Sequence, residues 1–169
     1  MPTHRMHMTT LEVAFSKTPS EISALVDELR PALPDITAYL YGHRSRLVKP
    51  MISYDLSAFA LSFEPAEDEA YTYHHVRRDV FDLVKAAGIE VGSRYQVPSA
   101  HITLGRYLGD ADHDTPEKRA NWVHKIDEIN AWLEKETIEW AVGQERGLDA
   151  RAGALWYGGG RTILLGEGF

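Results

Sequence analysis

Three stretches with helical periodicity punctuate this chain, and strand-like apolar segments fill the intervals between them, so the fold is expected to be mixed. The first helix starts at Thr18-Pro19-Ser20-Glu21: Thr18 can cap, Pro19 suits the first helical position and Glu21 completes a capping box. Ile22, Leu25, Val26 and Leu29 follow at helical spacing, and Pro31 is expected to end the run. The second helix covers roughly Glu67 to Ala87, with Val76, Val80, Leu83, Val84 and Ala87 on one face and Gly88 as its terminator. The third starts at Thr115-Pro116-Glu117 and aligns Trp122, Ile126, Ile129 and Leu133.

Strands are expected over Met6 to Val13, Leu47 to Phe63 (long or broken), Tyr95 to Tyr107 and Glu139 to Gln144. A closing hairpin is expected from Ala154-Leu155-Trp156-Tyr157 and Thr162-Ile163-Leu164-Leu165, joined by Gly158-Gly159-Gly160-Arg161. The glycine run lacks the strand-loop-helix context of a phosphate loop and reads as a turn. No internal repeat or low-complexity tract interrupts the pattern, and the acidic stretch Glu64 to Glu69 reads as a loop, not a linker. With 169 residues, 44% of them hydrophobic, the chain can bury a real core, and one α+β domain over residues 1–169 is the simplest reading.

The chemistry available is narrowed by what the chain lacks. It has no cysteine, which excludes a thiol nucleophile, a disulfide framework and a thiolate metal site, and suits a reducing cytosol or nucleus. No apolar run is long enough for a membrane span, and Met1-Pro2-Thr3-His4-Arg5 does not open a signal peptide. The formal net charge of −7 argues against a long duplex as partner, because such binding relies on basic faces that release phosphate counterions. A small nucleotide or an RNA end fits the charge better.

Two short motifs carry the chemical signal, His7-Met8-Thr9 and His101-Ile102-Thr103. In a strand, residues i and i+2 share a face, so each motif sets an imidazole beside a hydroxyl while its middle residue turns away. Ile102 and Leu104 would anchor one face in the core and leave His101 and Thr103 facing a cleft. Opening a phosphodiester requires a base for the attacking water and an acid for the departing sugar oxygen. Imidazole can serve as either near neutral pH, and threonine hydroxyls can bond the non-bridging oxygens; no metal is needed. A single His-x-Thr is weak evidence, and His113-Asp114-Thr115 also matches. That copy lies in an Asp-rich loop, where Thr115 is better read as a helix cap.

The two apolar-flanked motifs, with their surroundings Met6 to Val13 and Pro98 to Gly105, resemble the two-histidine (2H) phosphoesterase superfamily. That group includes the 2′-5′ RNA ligase-like and cyclic nucleotide phosphodiesterase proteins, and the text looks like a fungal branch of it. The run Leu155-Trp156-Tyr157-Gly158-Gly159-Gly160 is similar to that group's closing hairpin. The resemblance implies a bilobal α+β fold, with antiparallel sheets around a central cleft and one His-x-Thr strand from each lobe. It implies metal-independent hydrolysis of a 2′,3′-cyclic phosphate or 2′-linked nucleotide, or the related ligation, without a cofactor. His7 and His101 would be the acid/base pair, and Thr9 and Thr103 the phosphate ligands. Family members usually carry a strand and helix ahead of the first motif, whereas here six residues precede His7. A missing strand would leave a sheet edge open to dimerisation, or a lobe that binds a nucleotide or RNA end without turning it over.

Other residues carry weaker signals. Tyr54, Tyr95, Trp156 and Tyr157 could border the cleft and stack a base, or fill the core. Arg106, Arg46 and Lys49 could meet a terminal phosphate, or stay solvated. His74-His75 is a poor metal pair, because adjacent helical residues face different ways.

Overall fold

The computed structural model describes residues 1–92, 99–155 and 158–169. Helix α1, Pro19–Leu29, begins as its sequence dictates: Thr18 N donates to Glu21 Oε2 at 2.8 Å, and Glu21 N donates back to Thr18 Oγ1 at 3.3 Å. The α-helix stops at Leu29, just ahead of Pro31 as expected, but the chain does not straighten there: a 3-10 turn, Arg30–Ala32, leads into α2, Leu33–Thr37, and α3, Tyr39–Gly42. Pro31 and Pro34 both stand in first-turn positions, where the amide they lack would have had no helical partner.

The Leu47 to Phe63 run is broken, as allowed, into β1, Arg46–Tyr54, and β2, Ala58–Pro65. Asp55 makes the break. Its Oδ1 accepts from Ser57 N at 2.7 Å, Ala58 N at 2.8 Å and Ser57 Oγ at 2.8 Å, which turns the chain back on itself. The β1–β2 register shifts by a bulge between Val48 and Met51, where Lys49 takes φ +49°.

Helix α4, Tyr73–Ala86, starts six residues later than its sequence pattern suggests. The acidic residues ahead of it are held by β1: Lys49 pairs with Glu67 at 2.7 Å, and Arg46 pairs with Asp68 at 2.7 Å and Glu69 at 2.8 Å. Those ion pairs keep 67–69 outside the helix, and Thr72 N then donates to His75 Nδ1 at its start. Val76, Val80 and Val84 are buried, Leu83 packs partly buried against them, and Gly88 follows the last turn at φ +90°.

Strand β3, Ala100–Arg106, pairs with β2; helix α5, Pro116–Leu133, follows; and β4, Glu139–Ala141, pairs with β1. The sheet order is β3-β2-β1-β4, antiparallel throughout, so the fold is α+β as expected. Thr115 caps α5, and Ile126 and Leu133 are buried, but Ile129 stays 38% exposed. Asn130 on that helix explains how α5 docks. Strand β4 covers β1 only at Arg46–Val48, and farther along Asn130 Oδ1 accepts from Ile52 N at 2.7 Å while Nδ2 donates to Ile52 O at 3.1 Å. A side-chain amide thus completes the strand edge.

The closing hairpin is shifted. Its first strand is β5, Asp149–Ala152, paired with β6, Arg161–Leu165, and Leu155 lies outside the ladder. Gly153, at φ +106°, turns the chain out of the pairing before the apolar run that the sequence favours. Met6 to Val13 is no full strand either: Met8 alone bridges, to Ile102. Its neighbours' carbonyls are used elsewhere, Thr9 O by Tyr73 Oη at 3.2 Å and Val13 O by Gly92 N at 2.9 Å.

One face of the sheet is covered. Ala100, Leu47 and Phe63 pack with Val76, Val80, Val84, Tyr73 and Leu40, and Trp122 of α5 sits edge-on to Tyr54 at 4.7 Å. No described helix is long and apolar enough to cross a membrane. Because Asn130 supplies both bonds to Ile52, Asn130→Ala should destabilise the protein by about 2 kcal/mol. Urea unfolding would measure that loss, and an unchanged midpoint would show that water serves this edge equally well.

Candidate active site

Alternation along β3 decides which side chains face the covered side. Ala100 joins the core, so His101 and Thr103 project from the opposite face. There the register sets Ser62 beside His101 and Ala60 beside Thr103, and on β1 it sets Ser53 beside Ala60. Ser53 Oγ and Ser62 Oγ hydrogen-bond at 2.5 Å. These small side chains form the floor of a cavity of about 520 Å³, which His101, Thr103 and Ser99 border at one end and Tyr54, Asp55 and Arg106 at the other.

The second motif meets the first through backbone pairing. Met8 and Ile102 form an antiparallel bridge, so one step to either side brings His7 opposite Thr103 and Thr9 opposite His101. Exposure alternates to match: Met6, Met8 and Thr10 are half-buried, His7 and Thr9 exposed. The two motifs therefore run side by side in opposite directions. Yet His7 and Thr9 do not line the larger cavity. His7 borders a second one of about 240 Å³, with Met6, Met8, Trp140 and Arg146. A single bridge leaves the first motif at the rim, without a ladder to carry it over the sheet.

Each imidazole is oriented from two residues upstream. His7 Nδ1 lies 3.0 Å from Arg5 O, and a carbonyl only accepts, so Nδ1 donates. His101 Nδ1 lies 3.0 Å from Ser99 Oγ, which can give or take the proton. Arg77 on α4 braces that turn by donating from Nη1 to Ser99 O at 3.2 Å. Burial is the main influence that holds the His101 pKa below the usual imidazole value, and the charges of Arg77, Arg106 and His7 add to it.

Of the residues singled out from the sequence, His101, Thr103, Tyr54 and Arg106 share the larger cavity. Tyr95, Trp156 and Tyr157 lie outside the described residues. Arg46 and Lys49 border neither cavity: Arg46 is tied to Asp68, Glu69 and Glu139, and Lys49 to Glu64 and Glu67. His113 packs on the Tyr107 ring at 4.9 Å while Thr115 caps α5. His75 serves the start of α4, and no described group of three His, Cys, Asp or Glu could hold a metal. Sequence reasoning missed Ser53, Ser62, Asp55, Ser99 and Arg77. Only Ser99 left a trace, standing two residues before His101 and therefore on its face.

Comparison with family models, curated proteins and solved structures returns no match.

A cation beside an imidazole disfavours its protonated form, so removing that cation raises the pKa. His101 should therefore titrate below about 6.5 in the native protein and move upward in Arg77→Gln. Ring-proton NMR would follow both, and an unmoved value in the variant would remove Arg77 from the site's electrostatics.

Proposed function

We propose that this protein is a metal-independent phosphodiesterase of the two-histidine type, opening a 2′,3′-cyclic phosphate or cleaving a 2′-linked nucleotide or RNA end. The observation that supports this best is the Met8–Ile102 bridge, whose register sets His-Met-Thr against His-Ile-Thr in opposite directions. A phosphate above that seam would have an imidazole and a hydroxyl on each side. In this bilobal reading, the four-stranded sheet is one lobe. The Met6–Thr10 segment, which shares a cavity wall with Leu148 and Asp149 at the start of β5, belongs to the other.

The two ring environments suit different tasks. His101, whose uncharged ring is favoured by burial and the nearby cations, presents a bare Nε2 to water when its Nδ1 donates to Ser99 Oγ, and so can act as the base. His7, its Nδ1 donating to Arg5 O, can in its protonated form give the Nε2 proton to the departing sugar oxygen. Water attacks phosphorus, the phosphorus–sugar oxygen bond breaks, and the proton count balances. Thr9 and Thr103 hydroxyls would bond the non-bridging oxygens as charge concentrates there. RNA ligation is the same exchange run with RNA ends.

A second reading, a module that binds nucleotides without turnover, is favoured by one observation: only the His101 motif lines the larger cavity. The two readings separate in one assay. In EDTA, the native protein should convert nucleoside 2′,3′-cyclic phosphates to a single monophosphate. His7→Ala and His101→Ala, each folded by circular dichroism, should lose roughly 100-fold or more of that rate. Full activity in either variant would refute the two-histidine mechanism, and calorimetric binding with no product would favour the binding module.

A further inference from the structure

The far end of the larger cavity carries a feature that the phosphate chemistry does not use. Along β2, Ser62 stands beside His101, Ala60 beside Thr103 and Ala58 beside Arg106. At about 3.3 Å per residue, the stretch from the histidine end to the Asp55 turn is roughly 10 to 13 Å. That is the reach from a cyclic phosphate, across a ribose, to the far edge of its base. The floor between is built of Ser62, Ala60, Ser53 and Ala58, side chains small enough to leave depth for a flat ring.

Asp55 supplies the selective group there. Its Oδ1 is fixed by Ser57 N, Ser57 Oγ and Ala58 N. The same bonds hold its pKa below the usual carboxylate value, so the group is ionised and only accepts. Oδ1 is taken up by the turn, so Oδ2 is the acceptor left for a ligand, and an oxygen that only accepts matches a base edge with adjacent donors. Guanine presents N1–H beside its N2 amino group. Adenine and cytosine each set an amino group beside a bare ring nitrogen, and uracil flanks its one N–H with carbonyls. Arg106 lies on the same rim and acts electrostatically on Asp55, and guanine sets an acceptor, O6, beside those two donors.

We propose that the Asp55 end of the cavity is a guanine subsite, so that the preferred substrate is a guanosine 2′,3′-cyclic phosphate or an RNA end that terminates in guanosine. This rests on the phosphodiesterase reading above. The bland role for Asp55 is to hold the β1–β2 turn, and Asp55→Asn separates the two. Asparagine keeps an oxygen for the turn bonds but loses the charge and replaces the second oxygen with a donor.

The test compares kcat/KM for the four nucleoside 2′,3′-cyclic phosphates. The native protein should favour guanosine over adenosine by roughly 10- to 100-fold, the range expected for hydrogen bonds to a charged group. In Asp55→Asn that ratio should collapse toward one, and Asp55→Ser, which keeps a turn-forming hydroxyl, should behave alike. Uniform rates in the native protein, or an unchanged ratio in a folded variant, would overturn the proposal. If the native protein hydrolyses none of the four, the enzymatic reading fails separately. Calorimetry with guanosine and adenosine 2′-monophosphates then decides the subsite: a guanosine preference lost in Asp55→Asn supports it, and equal affinities reject it.

Discussion

The pleat of β3 divides this molecule in two, because seven residues there must serve a core and a cleft at once. Ala100 points toward Val76, Val80 and Val84, and that burial holds the strand in place. A one-residue slip would drive His101 and Thr103 into the apolar side and expose Ile102. The hydrophobic packing of one face therefore fixes the chemistry of the other. The bridge from Ile102 to Met8 extends the same constraint to the first motif, since Met8 packs on the core while His7 and Thr9 turn outward.

The cleft face is built differently from the covered one. Its floor is serine and alanine, and Ser53 and Ser62 satisfy each other across the strands. Polar groups that pair among themselves leave a wall without strong demand for water, suited to a ligand that brings its own charge. His101 sits deeper than His7, and cations near it favour the uncharged ring. The same cations would attract an anionic substrate to a chain whose overall charge is negative.

What was legible in the sequence was what is decided locally. The box at Thr18 and Glu21, the cap at Thr115, the Gly88 stop and the valine face of α4 depend on residues within a turn or two of each other. The His-x-Thr spacing was equally legible, because alternation in a strand needs no partner. Long-range pairing hid the rest. The late start of α4 follows from Arg46 and Lys49, some twenty residues upstream, capturing its acidic approach. Asn130 as an edge cap, Arg77 behind Ser99, and Ser53 and Ser62 in the floor appear only once strand register and helix docking are set. The hairpin was misplaced for a related reason: the apolar run at Ala154 outweighed Gly153, whose backbone ends the pairing just before it.

The central claim is that His7 and His101 act on one phosphate across the Met8–Ile102 seam. The most direct measurement is ¹⁵N NMR of the histidine rings during titration with a nucleoside 2′-monophosphate. The Nε2 signals of His7 and His101 should both shift and follow one binding curve. If His101 alone responds while His7 stays at its free position, the two motifs do not share a phosphate, and the paired mechanism is wrong.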